Sequence, residues 1–404
     1  MNYVLSLVDI SPQSRRLVGG KGYSLAVLSQ HGITVPDTLI VTTQAYEHFV
    51  SATKLRGRIL LELRRKSFKD MRWEEMWDTS LRLRHLFLNT PMPAELATSL
   101  RSALAPHVLE PCVVRSSAPG EDSHTSSFAG LHASFVNVVG LEAVLDHIKL
   151  VWASLWSDAA LLYRRELGLD VRKSTMGVLV QKMEVGEKSG VVFGQNPQDA
   201  SQAVIEAVYG LNQGLVDGTV EPDRWLLDRE TGDILAYRPV PKGEIILPGP
   251  EGVRLTALQP EYAQSPPITA SEVAQVYNLV RRSETLFGRP QDMEWTFAGV
   301  HLIALQSRPI TTSGIGKKED QRPWYLSLRR SFGNLQKLRQ KVEGQLIPAM
   351  EAEAARLAAM HLDQLPDAQL EDELVHRSSI YQSWKKVYWN DFIPLAHGIR
   401  LFGM

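Results

Sequence analysis

The sequence predicts a mixed α+β fold in more than one domain, on three observations. The first 315 residues mix short strand-like runs with helical segments, punctuated by glycine in VGGKG, APGED, FAG and VYGLNQG. Strand-like runs follow one another directly, as at 292–297 and 300–308, which describes hairpins rather than strict strand–helix alternation. From about residue 317 the character changes: KKEDQRP is a charged, solvated linker, and the stretch LSLRRSFGNLQKLRQKVEGQLIPAMEAEAARLAAMHL has many strong helix formers and little β-branching. The expected division is a first domain over 1–313, a linker over 314–322 and a helical segment over 323–404, the start of a substrate or docking domain.

Taken in order, Lys21 to His31 reads as a helix with Leu25 and Leu28 on one face and Gly32 as its C-cap. Asp37 to Thr42 reads as a strand, and Thr43 as the cap of a helix from Gln44 to Val50. Residues 73–106 are mainly helical, interrupted at Pro91 and Pro93. Glu110 to Arg115 is a short buried strand, 116–130 a Ser/Gly-rich loop, Ser134 to Val138 a strand, and 141–167 helical. Val178 to Met183 and Gly190 to Phe193 read as neighbouring strands. Val204 to Val208, Trp225 to Asp228 and Ile234 to Arg238 continue the β content. Residues 270–287 have the spacing of an amphipathic helix, and Asp292 to Phe297 and Val300 to Arg308 are the last two strands.

Composition excludes several classes. The chain has 404 residues, 44% hydrophobic and 22% charged, enough to bury a core and too apolar for global disorder. Lys+Arg is 44 and Asp+Glu is 45, so there is no whole-chain electrostatic footprint for nucleic acid or an anionic membrane. No apolar run approaches the roughly 20 residues of a membrane-spanning helix. The single cysteine, Cys112, excludes an internal disulfide framework and a Cys-based zinc cluster, and beside Val113 and Val114 it reads as a small buried hydrophobe. The N-terminus places Asp9 early and its basic residues late, the reverse of a secretory signal, so the cytoplasm is the expected compartment.

Four segments carry candidate chemistry. In VGGKGYSL, residues 18–25, backbone N–H groups at a helix start favour an anion and Lys21 adds a point charge. The spacing is not that of a Walker A loop, and a plain glycine turn with a solvated lysine has the same letters. In CVVRSSAPGEDSHTSSFAG, residues 112–130, a buried strand delivers Arg115 into a long polar loop. A buried arginine needs a partner, either a phosphate or a structural ion pair with Glu121 or Asp122.

In DMEWTFAGVHLIALQSRPI, residues 292–310, alternation puts Asp292 and Glu294 on one face of a strand and Gln306 and Arg308 on one face of the next. Glu294 and Gln306 share a face only if the connecting loop has an odd length, and a three-residue loop with Gly299 left-handed is expected. Such a face offers a carboxylate and an amide oxygen beside an arginine, which suits magnesium on a nucleotide; the other reading is a solvated edge hairpin. In LVQKMEVGEKSGVVFGQNP, residues 179–197, Gln181 and Met183 line either a purine pocket or plain core. Glu206, within the apolar run VIEAVYGL, needs a cation or hydrogen-bond donors, or a strand end that reaches water.

VGGKG, VRSSAPGEDSHTSSFAG, LVQKMEVGEKSGVVF, IEAVYGL and DMEWTF…LQSRPIT stand in a recognisable order. Together they resemble the nucleotide-binding domain of the pyruvate phosphate dikinase and phosphoenolpyruvate synthase superfamily, over roughly residues 15–312. The resemblance implies a two-lobed ATP-grasp fold holding MgATP. It implies transfer of a phosphoryl group from ATP to a histidine on a swivelling domain and then to an acceptor, with AMP and phosphate as products in the synthase-type branch. Carried over by position, Lys21 is the lysine of the first motif and Arg115 the phosphate-binding arginine. Gly130 and Ser134 stand where the loop and following strand contact nucleotide, and Gln181 matches the base pocket. Glu294 and Gln306 match the magnesium ligands, and Arg308 the last phosphate-contacting arginine.

Two departures stand out. The family often has Gly-Leu-Gly-Glu after the Glu206 strand; here it is Gly210-Leu211-Asn212-Gln213, and asparagine tolerates a left-handed turn. The family's phosphohistidine motif is absent, and His376 and His397 lack its context. A helical segment follows the nucleotide domain, an order more similar to rifampin phosphotransferase and phenol-phosphorylating synthases. The expected function is an MgATP-binding component, incomplete without a phosphohistidine domain or subunit, serving a small organic hydroxyl acceptor. The alternatives are a phosphoenolpyruvate synthase-like component acting with pyruvate and a degenerate nucleotide-binding subunit. The aromatic residues Trp384, Tyr388, Trp389, Phe392 and Phe402 either dock a partner or pack back on their own helices.

Overall fold

Two antiparallel sheets and the helices on their faces organise most of the chain. The structure is a computed structural model, and it describes residues 2–66, 71, 73–119, 122–123, 126–127, 132–166, 170–196, 199–310, 338–362, 365–392 and 395. The chain begins β1 (Val4–Ser6), α1 (Arg15–Gln30), β2 (Thr38–Val41), α2 (Thr43–Ala52), α3 (Leu55–Arg64), α4 (Trp73–Asn89) and α5 (Ala94–Leu104). It continues through β3 (Cys112–Ser117), β4 (Asp122–Ser123), β5 (Ser126–Ser127), β6 (Ser134–Val138), α6 (Leu141–Ser154), α7 (Asp158–Glu166), β7 (Gly177–Lys182), β8 (Lys188–Phe193) and β9 (Gln202–Tyr209). Then follow α8 (Gln213–Asp217), β10 (Asp223–Asp228), β11 (Ile234–Arg238), β12 (Glu244–Pro248), β13 (Val253–Ala257), α9 (Ala270–Phe287), β14 (Gln291–Ala298), β15 (His301–Pro309), α10 (Ile347–Ala358) and α11 (Asp367–Val387).

The mixed α+β class is as expected. One sheet has the order β1-β2-β7-β3-β6 and the other β11-β10-β9-β8-β14-β15. Helices cover both faces of the first sheet at β2 and β7, so the run TLIV of β2 is buried at every position. On one face Ile40 and Leu179 pack against Val18, Leu25 and Ala26 of α1. The other side of the unit holds an aromatic core of Tyr46, Phe49, Phe87 and Trp152. In the second sheet, Val192, Ile205, Met293 and Trp295 pack with Val276 and Val280 of α9. Its opposite face contributes Val191, Phe193, Val204 and Val208 to a cluster shared with Met183, Leu211 and Ile246.

Several local expectations need correction. β7 and β8 are not neighbours: each lies in a different sheet, and the chain crosses between sheets at 183–187. α1 begins at Arg15, since the glycines at 19 and 20 lie inside its run rather than before it. Thr42, not Thr43, precedes α2, and the Thr43 hydroxyl donates to the Arg16 carbonyl at 3.2 Å. The helical stretch 141–167 breaks into α6 and α7. α9 has the expected bounds, 270–287, and Thr269 and Glu272 form a capping box at its start.

The chain divides into two compact units, residues 1–215 with 219–312, and residues 216–218 with 313–404. In the second unit Val342 and Leu395 are buried among Leu338, Leu346, Ile347 and Phe392, and the Tyr388 and Phe392 rings stack at 6.5 Å. Part of the C-terminal aromatic cluster therefore packs on its own helices. Phe402 and the expected linker over 314–322 lie outside the described residues.

Candidate functional site

The site grows from one conformational requirement in α1. Gly19 has φ 74° and ψ 178°, a region open essentially to glycine, and this kinks the helix. A side chain there would place its Cβ 2.1 Å from the Ser117 carbonyl oxygen, so the helix lies directly on the end of β3. The Ser117 hydroxyl clamps the contact, donating to Val18 O at 2.6 Å and accepting from the Gly22 N–H at 3.0 Å. Lys21 follows the kink and is buried; its Nζ donates to the carbonyl and the hydroxyl of Ser116, each at 3.2 Å. The solvated-lysine reading of VGGKG is thereby excluded.

Arg115 comes from the same strand. Register pairs Arg115 with Ser134 and Val113 with Gln181, so Arg115, Ser134 and Gln181 share one face. The guanidinium donates to Ser134 Oγ at 3.4 Å and to Glu294 Oε2 at 2.6 Å. Its partner is therefore a residue of the second sheet, rather than Glu121 or Asp122 of the following loop.

The hairpin β14–β15 reaches the expected face by another route. Ala298 pairs with His301, so the connection is the two residues Gly299 and Val300, not three. Gly299 has φ 58°, the sign expected for the first position of such a turn. A regular ladder from this turn would set Glu294 opposite Leu305. The register instead shifts between Glu294 and Trp295, and Glu294 faces Gln306. Leu305 is the extra residue of a β-bulge, and its carbonyl accepts from Arg115 Nη1 at 3.5 Å and Gln181 Nε2 at 3.4 Å. The bulge both restores the pairing and ties the hairpin to the first sheet.

Two residues along, Arg308 donates through Nε and Nη2 to Asp292 Oδ2 at 2.9 and 2.7 Å. Across the sheet, Arg238, Arg224, Glu206, Val191, Glu294 and Gln306 stand opposite one another in successive strands. Glu206 meets Arg224 at 3.0 Å, the cation its place in an apolar strand required. Met183 lies in the apolar cluster that borders this row. Gly130 lies outside the described residues. His376 is exposed beside Arg356, and His397 is outside the described residues. In the turn after β9, Gly210 takes the left-handed backbone at φ 76°, and Asn212 does not.

Burial pushes the Glu294 carboxyl up, but Arg115, then Arg308 and Lys21, outweigh it and hold the group below its ordinary value. The carboxylate is therefore charged at neutral pH inside a cluster of three cations. Three positive side chains converging on one face favour a polyanionic ligand. No group of three or more His, Cys, Asp or Glu that could hold a metal occurs among the described residues. Glu294 and Gln306 still offer two hard oxygen donors side by side, a set that fits magnesium bringing its own phosphate and water ligands. Cys112 is buried, and that burial pushes its thiol up to about 11, the behaviour of an inert core residue.

Asp292, Leu305, Ser116 and Ser117 also belong to the site, and none of them has a role assigned by the sequence alone. The Asp292–Arg308 pair follows from the face alternation once the register is known. The Leu305 carbonyl has no sequence signal, because a bulge is set by register and not by residue type.

Two sheets joined through an arginine–glutamate pair, with lysine and a second arginine beside it, define a binding domain for a polyphosphate-bearing ligand. The chain belongs to the family described as pyruvate phosphate dikinase, AMP/ATP-binding domain, which matches residues 15–325. It is 37% identical over 317 residues to a rifampicin phosphotransferase of a Streptomyces species, covering 76% of this chain and 36% of that protein. It is 32% identical over 329 residues to a probable phosphoenolpyruvate synthase of Methanothermobacter thermautotrophicus, covering 80% of this chain and 48% of that protein. A rifampicin phosphotransferase of Bacillus subtilis is 32% identical over 314 residues, with 76% and 36% covered. The chain thus spans between about a third and a half of the length of these relatives. No helix among the described residues is long and apolar enough to cross a membrane.

Proposed function

We propose that this chain is the MgATP-binding component of a dikinase-type phosphotransferase with an ATP-grasp architecture. The observation that carries the proposal is the Arg115–Glu294 contact at 2.6 Å: Arg308 and Lys21 also act on that carboxylate, Gln306 stands opposite Glu294, and Gln181 shares the Leu305 carbonyl with Arg115. Lys21, Arg115 and Arg308 hold the phosphates and neutralise charge as it develops. Phosphoryl transfer asks mainly for such positioning and electrostatics. Ser134, and Gly130 by its position in the family motif, are assigned to nucleotide contact, and Gln181, Met183 and Glu206 are assigned to the nucleoside end. Glu294 and Gln306 would hold magnesium, which would supply positive charge against the phosphate oxygens.

In this reading ATP phosphorylates a histidine on a separate swivelling domain or subunit in the cytoplasm. The phosphoryl group then passes to a small organic hydroxyl compound, a water takes up the other terminal phosphate, and AMP and phosphate are released. The two classes of relative, by their names a rifampicin phosphotransferase and a probable phosphoenolpyruvate synthase, both support a dikinase-type donor half. The test supplies a family histidine domain in trans with ATP and magnesium and follows products by phosphorus NMR. AMP, phosphate and an acid-labile phosphohistidine are expected; ADP as the sole nucleotide product would contradict the proposal.

A further inference from the structure

The turn after β9 departs from the family pattern and stays outside the phosphate cluster, yet it holds an uncommon group. Asn212 is 6% exposed, and neither its Nδ2 nor its Oδ1 has a hydrogen-bond partner among the described residues. A buried carboxamide with both ends bare is unfavourable, and such a group in a folded protein calls for an explanation. Helix capping does not supply one: Asn212 directly precedes α8, but its Oδ1 accepts no backbone N–H. Backbone geometry does not supply one either, since the left-handed residue of the turn is Gly210.

The turn is fixed on both sides. Gly210 N donates to Glu187 O at 2.8 Å, Ser189 Oγ donates to Gly210 O at 2.6 Å, and Leu211 N donates to Ile246 O at 3.0 Å. Leu211 and Leu215, which flank Asn212, belong to the same apolar cluster as Met183, Val204 and Val208. That cluster borders the row from Glu206 to Glu294. The buried amide therefore stands in a segment whose flanking leucines belong to the apolar layer beside the residues assigned to the nucleoside end. An apolar slot with one placed donor–acceptor pair is the usual make-up of a small-molecule pocket.

We propose that the Asn212 carboxamide reads the base edge of the bound nucleotide, giving a donor to a ring nitrogen and accepting from an exocyclic amine. A carboxamide and an adenine edge match in this way, donor to acceptor and acceptor to donor. The inference rests on the nucleotide site proposed above and adds a base-recognition residue to it.

The test titrates the full chain calorimetrically, with magnesium, against ATP and separately against inorganic tripolyphosphate. Asn212→Leu is isosteric and apolar; Asn212→Gly removes the amide without adding bulk and serves if the leucine variant does not fold. Either variant should bind ATP at least about tenfold more weakly and tripolyphosphate as the wild type does. The ligand-free leucine variant should melt no lower than the wild type, because it removes an unsatisfied group. ATP affinity equal to wild type, or ATP and tripolyphosphate affinities falling together, would overturn the base contact. Wild-type binding of tripolyphosphate but not ATP would overturn it while leaving the phosphate site standing. Binding of neither ligand would overturn the nucleotide site itself.

Discussion

Arg115 on β3 and Glu294 on β14 are 179 residues apart in sequence and 2.6 Å apart in space, and they link the two sheets. Both side chains are nearly enclosed, at 14% and 12% exposure. Removing either partner leaves the other charge under-compensated, so Arg115→Ala and Glu294→Ala should each lower unfolding free energy by roughly 3 kcal/mol. The double variant should cost clearly less than the sum. Urea unfolding of the four proteins checks this, and strict additivity would show that the pair is not coupled.

Acid should reveal the same pair. Glu294 has a folded-state pKa lowered from 4.5. A depressed carboxyl contributes stability that is complete above its unfolded value and is lost as pH falls through the folded value. The stability difference between wild type and Glu294→Gln should thus be flat from pH 8 to about 5 and shrink below the ordinary carboxyl range. Melting temperatures across that range measure it. A difference that already shrinks between pH 8 and 6 would contradict the assigned charge state.

The phosphate contacts predict affinity losses without loss of fold. Lys21→Ala and Arg308→Ala should each weaken ATP binding about 10- to 100-fold, the range for one charge-assisted hydrogen bond. Unchanged affinity in both would remove these residues from the site.

Gly19 should be the least replaceable residue of the first motif. Gly19→Ala meets both a glycine-only backbone and the Ser117 carbonyl, so a loss of at least about 3 kcal/mol is expected. Gly32 is the control: its φ is 72°, nothing lies within 4 Å of an added Cβ, and Gly32→Ala should cost about 1 kcal/mol. Chemical denaturation of both variants decides the comparison.

What the sequence disclosed, and what it withheld, divides along physical lines. Local signals were legible: the helix over 270–287 and the strands Ser134–Val138 and Ile234–Arg238 came out at their observed bounds. The shared face of Asp292 with Glu294, and of Gln306 with Arg308, followed from strand alternation alone. Non-local features were not legible. Two apolar strands close in sequence, β7 and β8, gave no sign that they belong to different sheets. The hairpin loop came out one residue too long because parity has two solutions, an odd loop or an even loop with a bulge. The Leu305 bulge is the one used. The partner of Arg115 was equally hidden, since a strand pattern says which way a side chain points and not which sheet it meets.

The most direct test is a calorimetric titration of this chain with ATP, with and without magnesium, for wild type, Lys21→Ala and Glu294→Ala. Magnesium should strengthen binding to the wild type, Glu294→Ala should lose that enhancement, and Lys21→Ala should bind more weakly in both conditions. ATP binding that is absent in the wild type, or that keeps its full magnesium enhancement in Glu294→Ala, would contradict the assignment of this cluster as the MgATP site.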